Sequence, residues 1–194
     1  MPLYKYMDAP CVQAFVGMMS DVFLKGDHFK IVFTQGENVC LARNKMFEYI
    51  AGINGVDYVL ALDSDHEYSA KALYDLIAKI ERYDLPAISA SYYVRGDRKF
   101  SMIRRGDDGV YRNVDVDSLG SGVQKCDVFG FGFVVFRHST IKQMIAKHPH
   151  PFVMTGDKDT GEDFYFCKLM EDEGFNVFYD ADTIVGHYTS FFNK

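Results

Sequence analysis

Five residues, Tyr58-Val59-Leu60-Ala61-Leu62, constrain the chain most. They form a short apolar run of largely β-preferring side chains, which reads as a buried strand. The run passes directly into Asp63-Ser64-Asp65-His66-Glu67, and Ser69 then opens an amphipathic helix. Three acids and an imidazole therefore sit where a buried strand ends and a helix is about to begin. In open α/β sheets, ligands bind in the crevice beyond the carboxyl ends of the strands. Carboxylates crowded there repel one another and are costly to desolvate unless a cation lies between them. Hard oxygen ligands with one imidazole suit Mg2+ or Mn2+.

On either side of this stretch, helices and strands alternate. Val12, Phe15, Val16, Met19, Val22 and Phe23 recur at helical spacing and predict one apolar face, ended by Gly26. Ile31–Thr34 reads as a strand, and Asn38 can cap a helix with Leu41, Ala42, Met46, Phe47 and Ile50 inward. Ser69 caps the next helix, with Leu73, Leu76, Ile77 and Ile80 inward, and Ala87–Val94 is a further strand. This alternation predicts a sheet with covering helices. The middle changes character. Phe100–Ile103 and Val110–Val116 flank Gly106-Asp107-Asp108-Gly109 and predict an exposed hairpin. Cys126–Arg137 is strongly β apart from its glycines. Ser139 can cap a helix to about Lys147, and His148-Pro149-His150-Pro151 ends it, the two histidines reading as loop residues. Thr155–Gly161 is a polar loop. A helix then runs through Glu173, followed by a strand over Asn176–Tyr179 and by Val185-Gly186-His187-Tyr188. The fold class is α/β: a single domain over residues 1–194, with a mixed central sheet flanked by helices.

A chain of 194 residues is long enough for one sizeable core, and 48% apolar content supports one. The net charge of −6 argues against nucleic acid as a partner. The one basic cluster, Arg95, Arg98, Lys99, Arg104 and Arg105, reads as a solvated hairpin. Cys11, Cys40, Cys126 and Cys167 show no metal-ligand spacing and read as reduced thiols. No run is long enough to span a bilayer, which leaves a peripheral membrane contact open. The expectation is a cytoplasmic protein, in the host cytoplasm for a viral one.

The acids pair across the chain. Asp63 and Asp65 would share a face on a regular strand; at a strand end, a turn can send one to a metal and the other to a nucleotide sugar. A DxD alone is weak, because acids after strands are common loop residues. Glu162-Asp163 follow Gly161 and open a helix. One of them could simply complement the helix dipole. Alternatively, Asp163 is a general base, which the helix N-terminus would keep ionised. Gly130-Phe131-Gly132 interrupts a strand, as a bulge or as a shelf for a sugar. His187 is either structural or the imidazole that completes a shell begun by Asp65. Arg43-Asn44, early in a helix, is either a solvated face or a contact to a nucleotide or diphosphate, for which a guanidinium is well shaped.

The ordered series CLARN, YVLALDSD, VFGFGFVVFR, GEDFYFCKLMEDEGF and VGHY resembles the GT-A-fold glycosyltransferases, in particular the family 2-like inverting enzymes. It covers roughly Val39–Tyr188, and small viral and archaeal members are the most similar. The resemblance implies Asp65 on a divalent metal, Asp63 on the ribose or supporting the metal shell, and His187 as a further metal or diphosphate ligand. It implies Asp163 as catalytic base with Glu162 orienting it or the acceptor, Gly130–Gly132 bordering the donor sugar, and Arg43 approaching the nucleotide. Family members begin with an apolar strand that cradles the base; Leu3–Tyr6 is the only candidate here.

These roles describe a metal-dependent inverting transfer from a UDP- or GDP-sugar to a glycan, glycoprotein or glycolipid hydroxyl, with Mn2+ or Mg2+ as cofactor. Thr155–Gly161 would close over the donor. Three other readings compete. A sugar-nucleotide-forming nucleotidyltransferase would need an early glycine-rich basic loop, which is not seen. A HAD-type phosphatase would place its nucleophile strand near the N-terminus. A non-catalytic nucleotide-sugar or carbohydrate-binding module would not need every acid retained.

Overall fold

The computed structural model describes residues 1–3, 7, 9–94, 97–154 and 161–188. Along the chain run β1 (Pro2–Leu3), α1 (Ala9–Leu24), β2 (Thr34–Gln35), α2 (Val39–Ala51), β3 (Tyr58–Leu62), α3 (Ala70–Tyr83) and β4 (Ala87–Ser91). Next come β5 (Lys99–Arg105), β6 (Tyr111–Asp115), β7 (Val123–Cys126), β8 (Phe133–Arg137), α4 (His138–Lys147), α5 (Glu162–Asp172) and β9 (Val177–Ile184). Five strands form the central sheet in the order β3-β8-β4-β9-β7. β8 runs antiparallel to both β3 and β4, β9 parallel to β4, and β7 antiparallel to β9. The C-terminal ends of β3, β4 and β9 and the N-terminal end of β8 therefore share one sheet edge.

Side-chain alternation along β8 divides the core. Val134 and Phe136 pack on one side with Phe47 of α2, Ile141 and Met144 of α4 and Phe166 of α5. Phe133 and Val135 face the other side, with Met18 of α1 and Leu76 and Ile80 of α3. This is the period of two expected of a strand buried on both faces. Five rings, Phe47, Phe131, Phe136, Phe152 and Phe166, interlock between α2, the glycine loop and α5, with Phe152 stacked on Phe166 at 4.7 Å.

Local signals explain most boundaries. The Asn38 side chain accepts from the Leu41 amide, and Ser69 from the Ala72 amide, each closing a helix start as expected. Several expectations shift. Ser139 does not cap α4, which starts at His138 without a side-chain cap; β4 stops at Ser91 short of Val94, and β9 runs past Tyr179 to Ile184. The Ile31–Thr34 strand contracts to Thr34–Gln35, paired in parallel with Pro2–Leu3; Tyr4–Tyr6 lie outside the described residues. On α1 the buried residues are Cys11, Met18 and Val22, while Val12, Val16 and Phe23 are exposed. With Asp21 its only charged residue, α1 is apolar nearly all round, so periodicity alone could not choose the face. Cys126–Arg137 is not one strand: β7 and β8 pair with different neighbours, and the chain between them leaves the sheet. The hairpin of β5 and β6 forms, but Phe100, Met102 and Val114 point into the core. Arg104 donates to the Tyr179 hydroxyl at 2.7 Å. Arg95 of the basic cluster and residues 155–160 of the polar loop lie outside the described residues.

Candidate active site

At the shared sheet edge, β3 stops at Leu62 and the chain turns through Ser64 and Asp65. The Asp63 amide donates to Gly132 O at 3.3 Å, tying the strand end to the glycine loop. His66 then forms an antiparallel bridge with His187. The Glu67 amide donates to Gly186 O at 2.8 Å and the Tyr188 amide to Asp65 O at 2.7 Å. Two segments distant in sequence are thereby zipped together, and Asp65 meets His187. His187 Nε2 lies 3.3 Å from Asp65 Oδ2, and its Nδ1 lies 2.8 Å from Tyr93 O. The His187 ring is thereby held between the Tyr93 carbonyl and the Asp65 carboxylate.

Asp65 has a second imidazole beside it. His66 Nδ1 lies 3.0 Å from Asp65 Oδ1, and its ring stacks on that of His187 at 4.3 Å. Burial works to raise the Asp65 pKa, but His187 and His66 outweigh it and hold the carboxyl well below the usual range. Asp65, His66 and His187 can each offer one ligand atom, all within 4.8 Å of one another.

Asp63 goes elsewhere. Its Oδ1 accepts from Arg43 Nη2 at 2.7 Å, and the other arm of the same guanidinium bonds Glu162. Arg43 is buried and lies 4.6 Å from the Phe131 ring centre. Burial works against its charge, but Asp63 and Glu162 outweigh that and raise its pKa. One side chain of α2 thus joins the end of β3, the start of α5 and the glycine loop. The Asn44 amide is spent on Phe152, donating to its carbonyl at 2.8 Å and accepting from its amide at 2.9 Å. The structure does not bring Asn44 among the acids.

Asp163 sits half-buried beside Glu162, its Oδ1 accepting from the Phe164 amide at 2.7 Å. Burial and then Glu162 push its pKa up; the Phe164 amide and Arg43 pull it down and lose. Burial and Glu162, rather than the helix N-terminus, therefore set the direction of the shift. A carboxylate raised toward neutrality is a better-matched proton acceptor than an ordinary one.

The glycines meet side chains. A Cβ on Gly130 would stand 2.1 Å from Tyr92 Oη, and one on Gly132 would stand 2.3 Å from His66 Nε2. Tyr92 follows β4, and its hydroxyl accepts from the Gly132 amide at 3.0 Å. Only glycine lets the loop lie this close to Tyr92 and His66. Gly130→Ala should therefore cost about 1–3 kcal/mol of stability by overpacking. Adding Tyr92→Phe, which removes the nearest atom, should recover part of that loss in thermal unfolding. A double variant melting no higher than Gly130→Ala alone would mean the hydroxyl is not the obstacle.

Sequence reasoning missed Tyr92, which looked like one more strand residue, and the stacking of His66 on His187. His66 stood beside Asp65 in plain view, but the turn that points both at His187 has no signature in the sequence.

The glycosyl transferase family 2 model matches residues 13–144, more than half of the chain. This chain belongs to glycosyl transferase family 2. No curated protein matches the family 2 chain in sequence. Its fold is similar to that in the crystal structure of A197 from STIV, with a TM-score of 0.67 and 14% identity, covering 97% of this chain and 86% of that one. It is also similar to GalNAc-T7, crystallised with UDP, GalNAc and Mn2+, with a TM-score of 0.59 and 11% identity. There the match covers 95% of this chain and 36% of the longer protein. At such identities the likeness is one of fold, the GT-A fold. The α/β class with a mixed central sheet stands, and so does the expected likeness to a small viral protein. None of the described helices is long and apolar enough to cross a membrane.

Proposed function

We propose that this family 2 glycosyltransferase moves a sugar from a nucleoside-diphosphate sugar to an acceptor hydroxyl by a single inverting displacement, with Asp163 as the base. The observation that carries the reading is the convergence of two acidic pairs on one sheet edge, linked through Arg43. Asp163 takes the proton from the acceptor oxygen as that oxygen attacks the anomeric carbon; the bond to the donor phosphate breaks, and the nucleoside diphosphate leaves. Glu162, held by Arg43, is committed to an ion pair, which leaves Asp163 as the proton acceptor. Gly130–Gly132 border the donor sugar, and Asp63 faces the ribose side of the donor.

A divalent cation, Mn2+ or Mg2+, fits at Asp65 and His187, where a carboxylate and an imidazole converge. When bound it would neutralise charge developing on the diphosphate leaving group. Donors would be UDP- or GDP-sugars and acceptors glycans, glycoproteins or glycolipids.

Calorimetry with a panel of UDP- and GDP-sugars, in Mn2+ and then in EDTA, tests the donor site. Metal-dependent binding of one donor is expected, weakened at least about tenfold in Asp65→Ala. Folded protein that binds none of them would remove the nucleotide-sugar reading and favour a glycan-binding module.

A further inference from the structure

The outer side of α1 carries a second apolar face. Val12, Val16, Phe23 and Leu24 are exposed there, Phe23 at 69% and Leu24 at 81%. At 100° per residue, Val12, Val16, half-buried Met19 and Phe23 fall within about 60° of one another. Their four-three-four spacing is that of a seam between two packed helices. Met18 and Val22 turn inward to the core, so this row is not the back of the buried face. Asp21, the only charged residue of α1, is nearly opposite the row on the wheel. Phe29, Ile31 and Phe33 then alternate along the segment after α1, all exposed. Phe33 meets Phe15 of α1 edge-on at 6.0 Å, so the two exposed sets adjoin. Together they leave roughly 700 Å2 of apolar surface open among the described residues, above the ~300–600 Å2 of the largest patch on a typical monomer.

We propose that this face pairs with the same face of a second copy, α1 against α1 across a two-fold axis, and that the protein is a homodimer in solution. A two-fold contact must be self-complementary, and an apolar row is. Gln13 and Ser20 flank the row on its exposed side, so two copies meet there without like charges facing each other. The area also suffices. Each partner of a stable interface contributes about 800 Å2, and burying most of this face on both copies removes about 1,200 Å2, the lower end of the stable range. An anionic bilayer fits the face less well. The chain carries a net charge of −6. Lys25 and Lys30 beside the face are laid over the rings of Tyr74 and Tyr49, at 3.7 and 4.8 Å from the ring centres. Asp27 stands between them in sequence and accepts from the Tyr74 hydroxyl. This is not the cluster of cations that anionic headgroups attract.

Sedimentation velocity of the unaltered full chain, from about 1 to 100 µM, tests the pairing, since interfaces of this size hold at micromolar concentration or tighter. A species of twice the chain's mass is expected; a monomer throughout overturns the proposal. Val16→Glu with Phe23→Glu puts charges into the row at exposed positions and should raise the dimer dissociation constant at least about tenfold. Val110→Glu is the control. Val110 is also exposed, but it lies at the turn of the β5–β6 hairpin, whose buried side chains pack in the other half of the core, and the substitution should leave the dimer intact. A double variant that dimerises like the parent would place the contact elsewhere and overturn the proposal. Hydrogen exchange on the unaltered protein gives a readout that needs no variant. Amides of residues 12–33 should exchange more slowly at 100 than at 1 µM, with those of the hairpin unchanged; slowing confined to any other surface refutes the assignment. Flotation with vesicles of phosphatidylcholine and phosphatidylserine supplies the last arm. Monomeric protein that floats, and stops floating in the double variant, would give the face to a membrane instead.

Discussion

Asp163→Asn should abolish sugar transfer, by at least about a thousandfold, while donor affinity stays within about threefold of the parent and the fold becomes no less stable. The amide oxygen can still accept from the Phe164 amide, as Oδ1 does now. The charge is what disappears. The folded-state pKa of Asp163 lies above the ordinary carboxylate value, chiefly through burial and Glu162. A raised carboxyl pKa contributes stability below the unfolded value, and that contribution is lost as pH rises through the folded value. Above that range the ionised carboxylate burdens the fold, and Asn does not. The variant should therefore melt at or above the parent at pH 7, with the gap closing in acid. In the parent, activity should fall on the acid side at a pH above the ordinary carboxylate range, because the base must be ionised. Calorimetric donor binding, initial rates across pH and thermal unfolding of both proteins check the set. A variant that transfers sugar at the parental rate would strip Asp163 of its role.

Arg43→Met should produce the largest loss of stability of any change at the site. It removes the buried cation between Asp63 and Glu162 and leaves two carboxylates facing each other. Breaking a buried pair in this way costs about 3–5 kcal/mol. For a chain of this size, that lowers the melting temperature by roughly 6–20 °C. Arg43→Lys should fall between parent and Met, since an ammonium keeps the charge but cannot bridge two carboxylates as a rigid fork. Thermal unfolding at neutral pH decides it. An Arg43→Met protein that melts within about 1 °C of the parent would show that the bridge is not a stabilising contact.

The strand-to-acid transition at Tyr58–Glu67 was legible because burial writes an unbroken apolar run and function writes charges directly after it. The caps at Asn38 and Ser69 were legible because their bonds span three residues. Contacts closed by the fold were harder. The face of α1 depended on what packs beneath it. Arg43 read either as a solvated face or as a contact to a nucleotide or diphosphate, and its bond to Glu162, 119 residues away, has no local signal. The upward shift at Asp163 comes first from burial, which the local sequence does not display. The acids could be nominated from sequence; which cation faces which acid is a property of the assembled sheet edge.

The interlocked rings beneath the site carry one more implication. Phe131 belongs to the glycine loop and Phe166 to the helix that starts at Glu162, and their centroids stand 5.3 Å apart within one buried cluster. The entropy of bringing these two halves together is lost once, when the core forms, and not again at each substrate encounter. The relative placement of base helix and glycine loop is thus inherited from the core, so turnover need not wait for those two parts to find each other.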